Sequence, residues 1–222
     1  MSSPAQRHRE RMLAQAAATS AADAGTAQAT GSAYDLMRAK LAEDKRSLKA
    51  LQSREAKIEL KRKLLPEYAS WVDGVISADK PVQDDVVATV MVWAIDTGDI
   101  EPALAVANYM LKHGLKLPEH YKRDLPTALV EEIADQAGRP GNTVTAAQLL
   151  QVGALTEGRD MPDEVKSKLH KAIGLALRDT APTQALEHLQ RALQLNARSG
   201  VKSDISKLEK QLAETAKTPP AN

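Results

Sequence analysis

Metal-dependent phosphodiester cleavage needs two or three carboxylates converging on Mg²⁺, and this 222-residue sequence offers few such groups. Glu131 and Asp135 stand at i, i+4 spacing on a predicted helix and form the one pair that could share an ion. Asp85 and Asp96 share a helix face but lie about 16 Å apart along it, too far to act together. Asp84 and Asp85 suit a helix first turn. Among the five histidines no pair has His-x3-His spacing, and no cysteine can supply a thiolate. His113 and His120 are separated by the turn from Gly114 to Pro118, while His170 and His188 read as packed or solvated residues on adjacent helices. No metal site is assigned on these grounds, and no cofactor. Mg²⁺ belongs only to an alternative in which the chain cuts DNA itself through Glu131 and Asp135. A Gly-x-Ser-x-Gly nucleophile elbow and a Gly-rich phosphate loop are both lacking.

Cations form the other constellation. The formal net charge is +1, yet Tyr34 to Leu65 holds ten basic residues against five acids. That segregation points to an anionic partner. Lys45, Arg46, Lys49, Arg54, Lys57, Lys61 and Arg62 recur along this stretch, and Arg7, Arg9 and Arg11 lie near the N-terminus. These ten are the candidate DNA-binding residues. Cations spaced along a helix meet phosphates without reading bases, and the lack of interleaved aromatics favours a duplex over single strands.

The elements that would position these groups are helical. Phenylalanine is absent and aromatics make up 3% of the chain, so alanine and leucine carry the apolar load, as suits an all-α fold of closely packed helices. Residues 1–33 read as a flexible basic arm and linker, because Gly25, Gly31 and the Thr/Ser content weaken helix formation. Met37, Leu41, Leu48, Leu51, Ile58 and Leu65 follow a heptad rhythm, which predicts one coiled-coil-like helix over 34–66, roughly 45 Å long and ended by Pro66. These six residues are the candidate oligomerisation seam, with packing inside the chain as the alternative.

Beyond it the pattern predicts a helical core over 67–138, with Gly98 as a C-cap and Asp99 as the next N-cap. Helical hairpins follow over 139–199. Thr145 and Gln148 form a capping box, Pro162 and Pro182 open helices, and Gly174 and Ala176 face Ala185, Leu189 and Ala192. A terminal helix and tail occupy 200–222, with Pro219 and Pro220 ending the ordered chain. No apolar run approaches the roughly 18 residues of a membrane span, and neither a secretory signal nor a membrane partner is expected.

Several blocks, taken together, resemble the terminase small-subunit family of peduovirus-type tailed phages, also labelled the terminase endonuclease subunit. They are Ser3 to His8, Leu64-Leu65-Pro66 with Trp71-Val72, and Gln83-Asp84-Asp85 leading to Thr89 through Trp93. Asp96 to Ile100, Asp160 to Val165, Lys168 to Lys171, His188 to Ala192 and Gly200-Val201-Lys202 continue in order. The resemblance implies a viral genome-packaging subunit in the host bacterial cytoplasm. It implies binding to double-stranded DNA at the cohesive-end site, homo-oligomers that include rings, and a large subunit carrying the ATPase motor and nuclease. A helical-repeat scaffold without a DNA role is the remaining reading of the hairpins.

Overall fold

The alanine-rich N-terminal run folds into a helix. In the computed structural model, which describes residues 3–217, the Gln6 N–H donates to Ser3 Oγ (3.2 Å) and the Ser3 N–H donates to Gln6 Oε1 (2.7 Å). This reciprocal box, with Pro4 in the first turn, starts α1 (Pro4–Asp23). Ala14, Ala18 and Ala21 fall on one face and are buried. They lie against α3 (Arg54–Ala78) at Gly74, where an added Cβ would stand 2.7 Å from Ala14 Cβ. Over Pro4–Asp23, the flexible arm expected for 1–33 is therefore corrected to a helix. Small side chains let two helices approach closely, and that packing anchors an alanine-rich segment that favours helix but would be marginal alone.

The single helix expected over 34–66 is two helices. α2 (Ser32–Ala50) ends at an extended Leu51 (ψ 138°), and Ser53 caps α3 by accepting from the Ala56 N–H at 3.4 Å. Pro66 does not stop α3; it lies inside it. An interior proline costs about 3 kcal/mol, but Tyr68, Trp71, Val72 and Val75 beyond it are buried. At about 1.5–3 kcal/mol for each such side chain, their burial outweighs the proline. The seam is also not continuous. Leu41 and Leu48 are buried within this chain's own core, whereas Met37, Leu51, Ile58 and Leu65 are half-buried.

α4 (Asp85–Thr97) is the most buried helix of this region, and Gly98 ends it at φ 83° in the left-handed conformation expected of it. Asp99 then precedes α5 (Ile100–Lys112), although its side chain makes no capping bond. Helices α1 to α5 belong to one compact unit that ends at Leu125.

A second unit runs from Pro126 onward. It holds most of α6 (Leu125–Ala137), then α7 (Ala146–Leu155), α8 (Asp163–Leu177), α9 (Pro182–Leu195) and α10 (Lys202–Lys217). The Thr145–Gln148 capping box is present at the start of α7. Gly174 lets α8 and α9 close together, since a Cβ there would meet Leu189 Cγ at 2.6 Å and the Ala185 carbonyl at 3.0 Å. Ala176, expected on the same face, is exposed. Ile205 and Leu208 are buried as α10 packs on α9. Pro219 and Pro220 lie outside the described residues. Among the described residues there are ten helices and no strand, so the chain is all-α. None of those helices is long and apolar enough to cross a membrane.

Candidate nucleic-acid interface

The segregated cations sit on α2 and α3, on both sides of the short extended link, and their side chains divide into two groups. One group is engaged by neighbouring side chains and carbonyls. Lys45 Nζ donates to Thr89 Oγ1 on α4 (3.3 Å), and burial lowers its pKa. Lys61 Nζ pairs with Asp96 Oδ2 at 2.5 Å, and Arg62 donates both to Glu59 (2.5 Å) and to the Thr97 carbonyl (3.2 Å). These three residues tie α2 and α3 to α4. Arg46 is exposed but pairs with Glu43 on its own helix.

The other group faces outward. Lys49 at the end of α2 and Arg54 at the start of α3 are exposed on either side of the link, and Lys57 is half-buried one turn further on. None of the three has an ion pair within 4 Å among the described residues. The exposed Lys63, outside the ten candidates, has none either. Exposed Arg7, Arg9 and Arg11 lie on the first turns of α1, and are carried by a docked helix rather than a tether.

Beneath the cations lies a polar and aromatic lattice that fixes the helices. Asp84, 3% exposed, accepts from the Val86 and Val87 N–H groups through Oδ1 (2.8 and 3.0 Å) and from Trp71 Nε1 through Oδ2 (2.9 Å). Burial raises its pKa, and these three donors oppose the rise. Tyr34 stacks on Trp71 with ring centroids 6.2 Å apart, and its hydroxyl accepts from the Asp85 N–H (3.2 Å). Tyr68 donates to Asp44 Oδ2 (2.5 Å), which Lys40 also reaches at 2.7 Å while its ammonium lies 4.3 Å from the Tyr68 ring centroid. Burial, with the Asp44 carboxylate, pushes the Tyr68 pKa up. The lattice escaped the sequence reading, although its signal was visible: an Asp immediately before an apolar run is an N-cap.

In the second unit, Lys168 Nζ lies 3.2 Å from Glu131 Oε1 and 2.9 Å from Asp135 Oδ1. Desolvation works against its charge, but the two carboxylates prevail and raise its pKa. An ammonium thus stands where a shared metal would sit. Among the described residues no three His, Asp or Glu side chains gather to hold an ion.

The profile of the phage small terminase subunit family matches residues 38–164, which include the α2–α3 cations and, apart from Tyr34, the Asp84 lattice. The chain belongs to that family. It is 45% identical over 216 residues to the terminase, endonuclease subunit of Escherichia phage P2, covering 96% of this chain and 86% of that one. The probable terminase, endonuclease subunit of Haemophilus phage HP1 is 24% identical over 206 residues, covering 85% of this chain and 73% of that protein. No solved structure matches. The blocks noted in the sequence now have places in this terminase subunit. Trp71, Asp84 and Asp85 meet in the lattice, Asp96 and Thr97 receive Lys61 and Arg62, and Lys168 engages Glu131 and Asp135.

Proposed function

We propose that the chain is the DNA-recognition subunit of a packaging terminase. In this reading it binds duplex phage DNA at the cohesive-end site, assembles with copies of itself and delivers the DNA to a large ATPase and nuclease subunit in the host cytoplasm. The observation that carries the reading is the outward group Lys49, Arg54 and Lys57 around the α2–α3 link, uncommitted to carboxylates and mounted on a rigid lattice. The nearby Tyr34, Tyr68, Trp71 and Trp93 are all buried, which leaves no platform for base stacking and supports a duplex ligand.

Charge reversal separates the groups. Lys49→Glu, Arg54→Glu and Lys57→Glu together are expected to weaken binding of cohesive-end duplex and to flatten its salt dependence by about 0.9 in log–log slope for each phosphate no longer neutralised. Fluorescence anisotropy at several salt concentrations measures both. Wild-type affinity and slope in the triple variant would remove this surface from the reading.

Self-association is assigned to the half-buried remainder of the seam, because Leu41 and Leu48 already serve the chain's own core. Ile58→Asp with Leu65→Asp is expected to shift sedimentation toward monomer, and an unchanged assembly would place the interface elsewhere. The large subunit is assigned to the exposed face of α10. Deleting that helix would remove the buried Ile205 and Leu208 and uncover the face of α9 they pack on, so Lys207→Glu with Lys210→Glu is the cleaner test of capture.

A second reading, that the chain cuts DNA itself with Mg²⁺, is favoured by the endonuclease wording in the names of both relatives. It predicts Mg²⁺-dependent nicking by the purified protein that disappears in Glu131→Ala. Intact DNA after incubation with the wild-type protein would set it aside.

A further inference from the structure

The second unit contains an open cleft of about 690 Å³, walled by α7 and the segment after it, α8 and α9. Three cations line it: Arg159, Lys166 and Arg191. Carboxylates are close at hand, since Glu157 and Asp160 line the same cleft and Glu187 lies near His188. None of the three cations forms an ion pair with any of them within 4 Å among the described residues, and the bond found for Arg191 goes to Gln194 Oε1 (3.2 Å). With no such ion pair, these cations offer N–H donors to a ligand in the cleft, while Glu157 and Asp160 remain in the same lining as separate charges.

His170 and His188 form part of the lining, their Nδ1 atoms 2.9 Å apart. That distance requires one ring to donate and the other to accept, so the neutral pair keeps one Nε2–H and one bare Nε2. Burial, His188 and Arg191 lower the His170 pKa to about 4, and burial lowers that of His188 against the opposing pull of Glu187. The imidazoles therefore stay neutral at pH 7 beside guanidinium and ammonium groups. Apolar Leu150, Met161, Leu169 and Ile173 also line the cleft, whose volume leaves room for more than an isolated ion.

We propose that this cleft is a phosphate-binding site, in which Arg159, Lys166 and Arg191 receive a phosphoryl group borne by a larger molecule and the His170–His188 pair lies alongside it. Guanidinium and ammonium groups suit phosphate oxygens. Two sources share this chemistry, the backbone of a DNA duplex and the phosphate chain of a free nucleotide. The site is separate from the α2–α3 surface and does not depend on it.

The test uses the full chain and the C2–H proton resonances of His170 and His188. Pyrophosphate, ATP and a short DNA duplex are titrated in turn at constant ionic strength, with NaCl as control. A bound phosphate supplies negative charge beside the imidazoles, so the His170 pKa is expected to rise by about one unit. The response should weaken at least tenfold in the variant combining Arg159→Ala, Lys166→Ala and Arg191→Ala. Should that variant lose helix content, Arg191→Gln alone is expected to weaken the response severalfold. Saturation by pyrophosphate and ATP assigns a nucleotide, and saturation by duplex alone assigns the DNA backbone. Resonances unmoved by all three probes, or moved equally in folded wild-type and variant proteins, would overturn the site. Either result leaves the test of Lys49, Arg54 and Lys57 untouched.

Discussion

The two units pack their helices with different side chains. In the unit ending at Leu125, Tyr34, Tyr68, Trp71, Trp93 and Tyr109 are buried, and polar tips pin several of them: Trp71 to Asp84, Tyr68 to Asp44, Tyr109 to the Lys80 carbonyl at 2.7 Å. From Pro126 onward the sequence has no Phe, Tyr or Trp. There Gly174 admits Leu189, and the buried Ser167 hydroxyl donates to the Ala192 carbonyl at 2.8 Å. The first strategy fixes helices by directed bonds on large rings, the second by close approach of small residues. Directed bonds fail when a partner is removed. Close approach fails when an atom is added.

The largest expected effect tests the first strategy. Asp84→Ala removes the α4 cap and leaves the Trp71 N–H buried without an acceptor, a loss of about 3 kcal/mol from the two causes combined. Urea unfolding followed by circular dichroism measures it. A loss below about 1 kcal/mol would mean that the ring alone holds the two helices together. Gly74→Val comes next, because α1 also depends on close approach although it lies in the aromatic unit. The new side chain meets the Arg11 backbone and Ala14, at a cost of about 2–3 kcal/mol, and hydrogen exchange over residues 4–23 should accelerate.

Gly174→Ala should cost less, about 1–2 kcal/mol. Its closest neighbours are Leu189 side-chain atoms, whereas Gly74 faces a backbone carbonyl, and side chains yield more readily. Equal losses at the two glycines would erase that distinction.

The smallest effect is a divergence with pH. His170 has a folded pKa of about 4 against an ordinary 6.5. Between those values the unfolded chain takes up a proton that the folded one refuses. Its contribution to the second unit is therefore complete above pH 6.5 and falls away toward pH 4. Asp84 has the opposite sign, since burial raises its carboxyl pKa and acid relieves the cost of keeping it charged. Hydrogen exchange at about pH 7 and about pH 5, corrected for intrinsic rates, should show protection lost from the second unit relative to the first.

What the sequence disclosed and what it hid follow the range of the interactions. Gly98, the Thr145–Gln148 box and the helix starts at Pro162 and Pro182 were legible because the bonds and backbone preferences that set them lie within a few residues. The alanine run before Asp23 and the continuation past Pro66 were not, because each is decided by burial against a distant helix. The Ser53 cap went unread because the heptad rhythm ran across it. At the candidate interface the excess of positive charge was plain. Which cations are already engaged was not, since Lys61 finds Asp96 35 residues away and Lys45 finds Thr89 44 residues away.

The confinement of the aromatic rings to one unit also decides what light can report. Both tryptophans, 2% and 4% exposed, lie before Leu125, as do all four tyrosines. Intrinsic emission and near-ultraviolet absorbance are therefore local probes of that unit, sensitive to the surroundings of Trp71 and Trp93. The helices from α7 onward carry no chromophore of their own beyond the peptide bond, and they unfold unseen by any fluorimeter unless a tryptophan is placed among them.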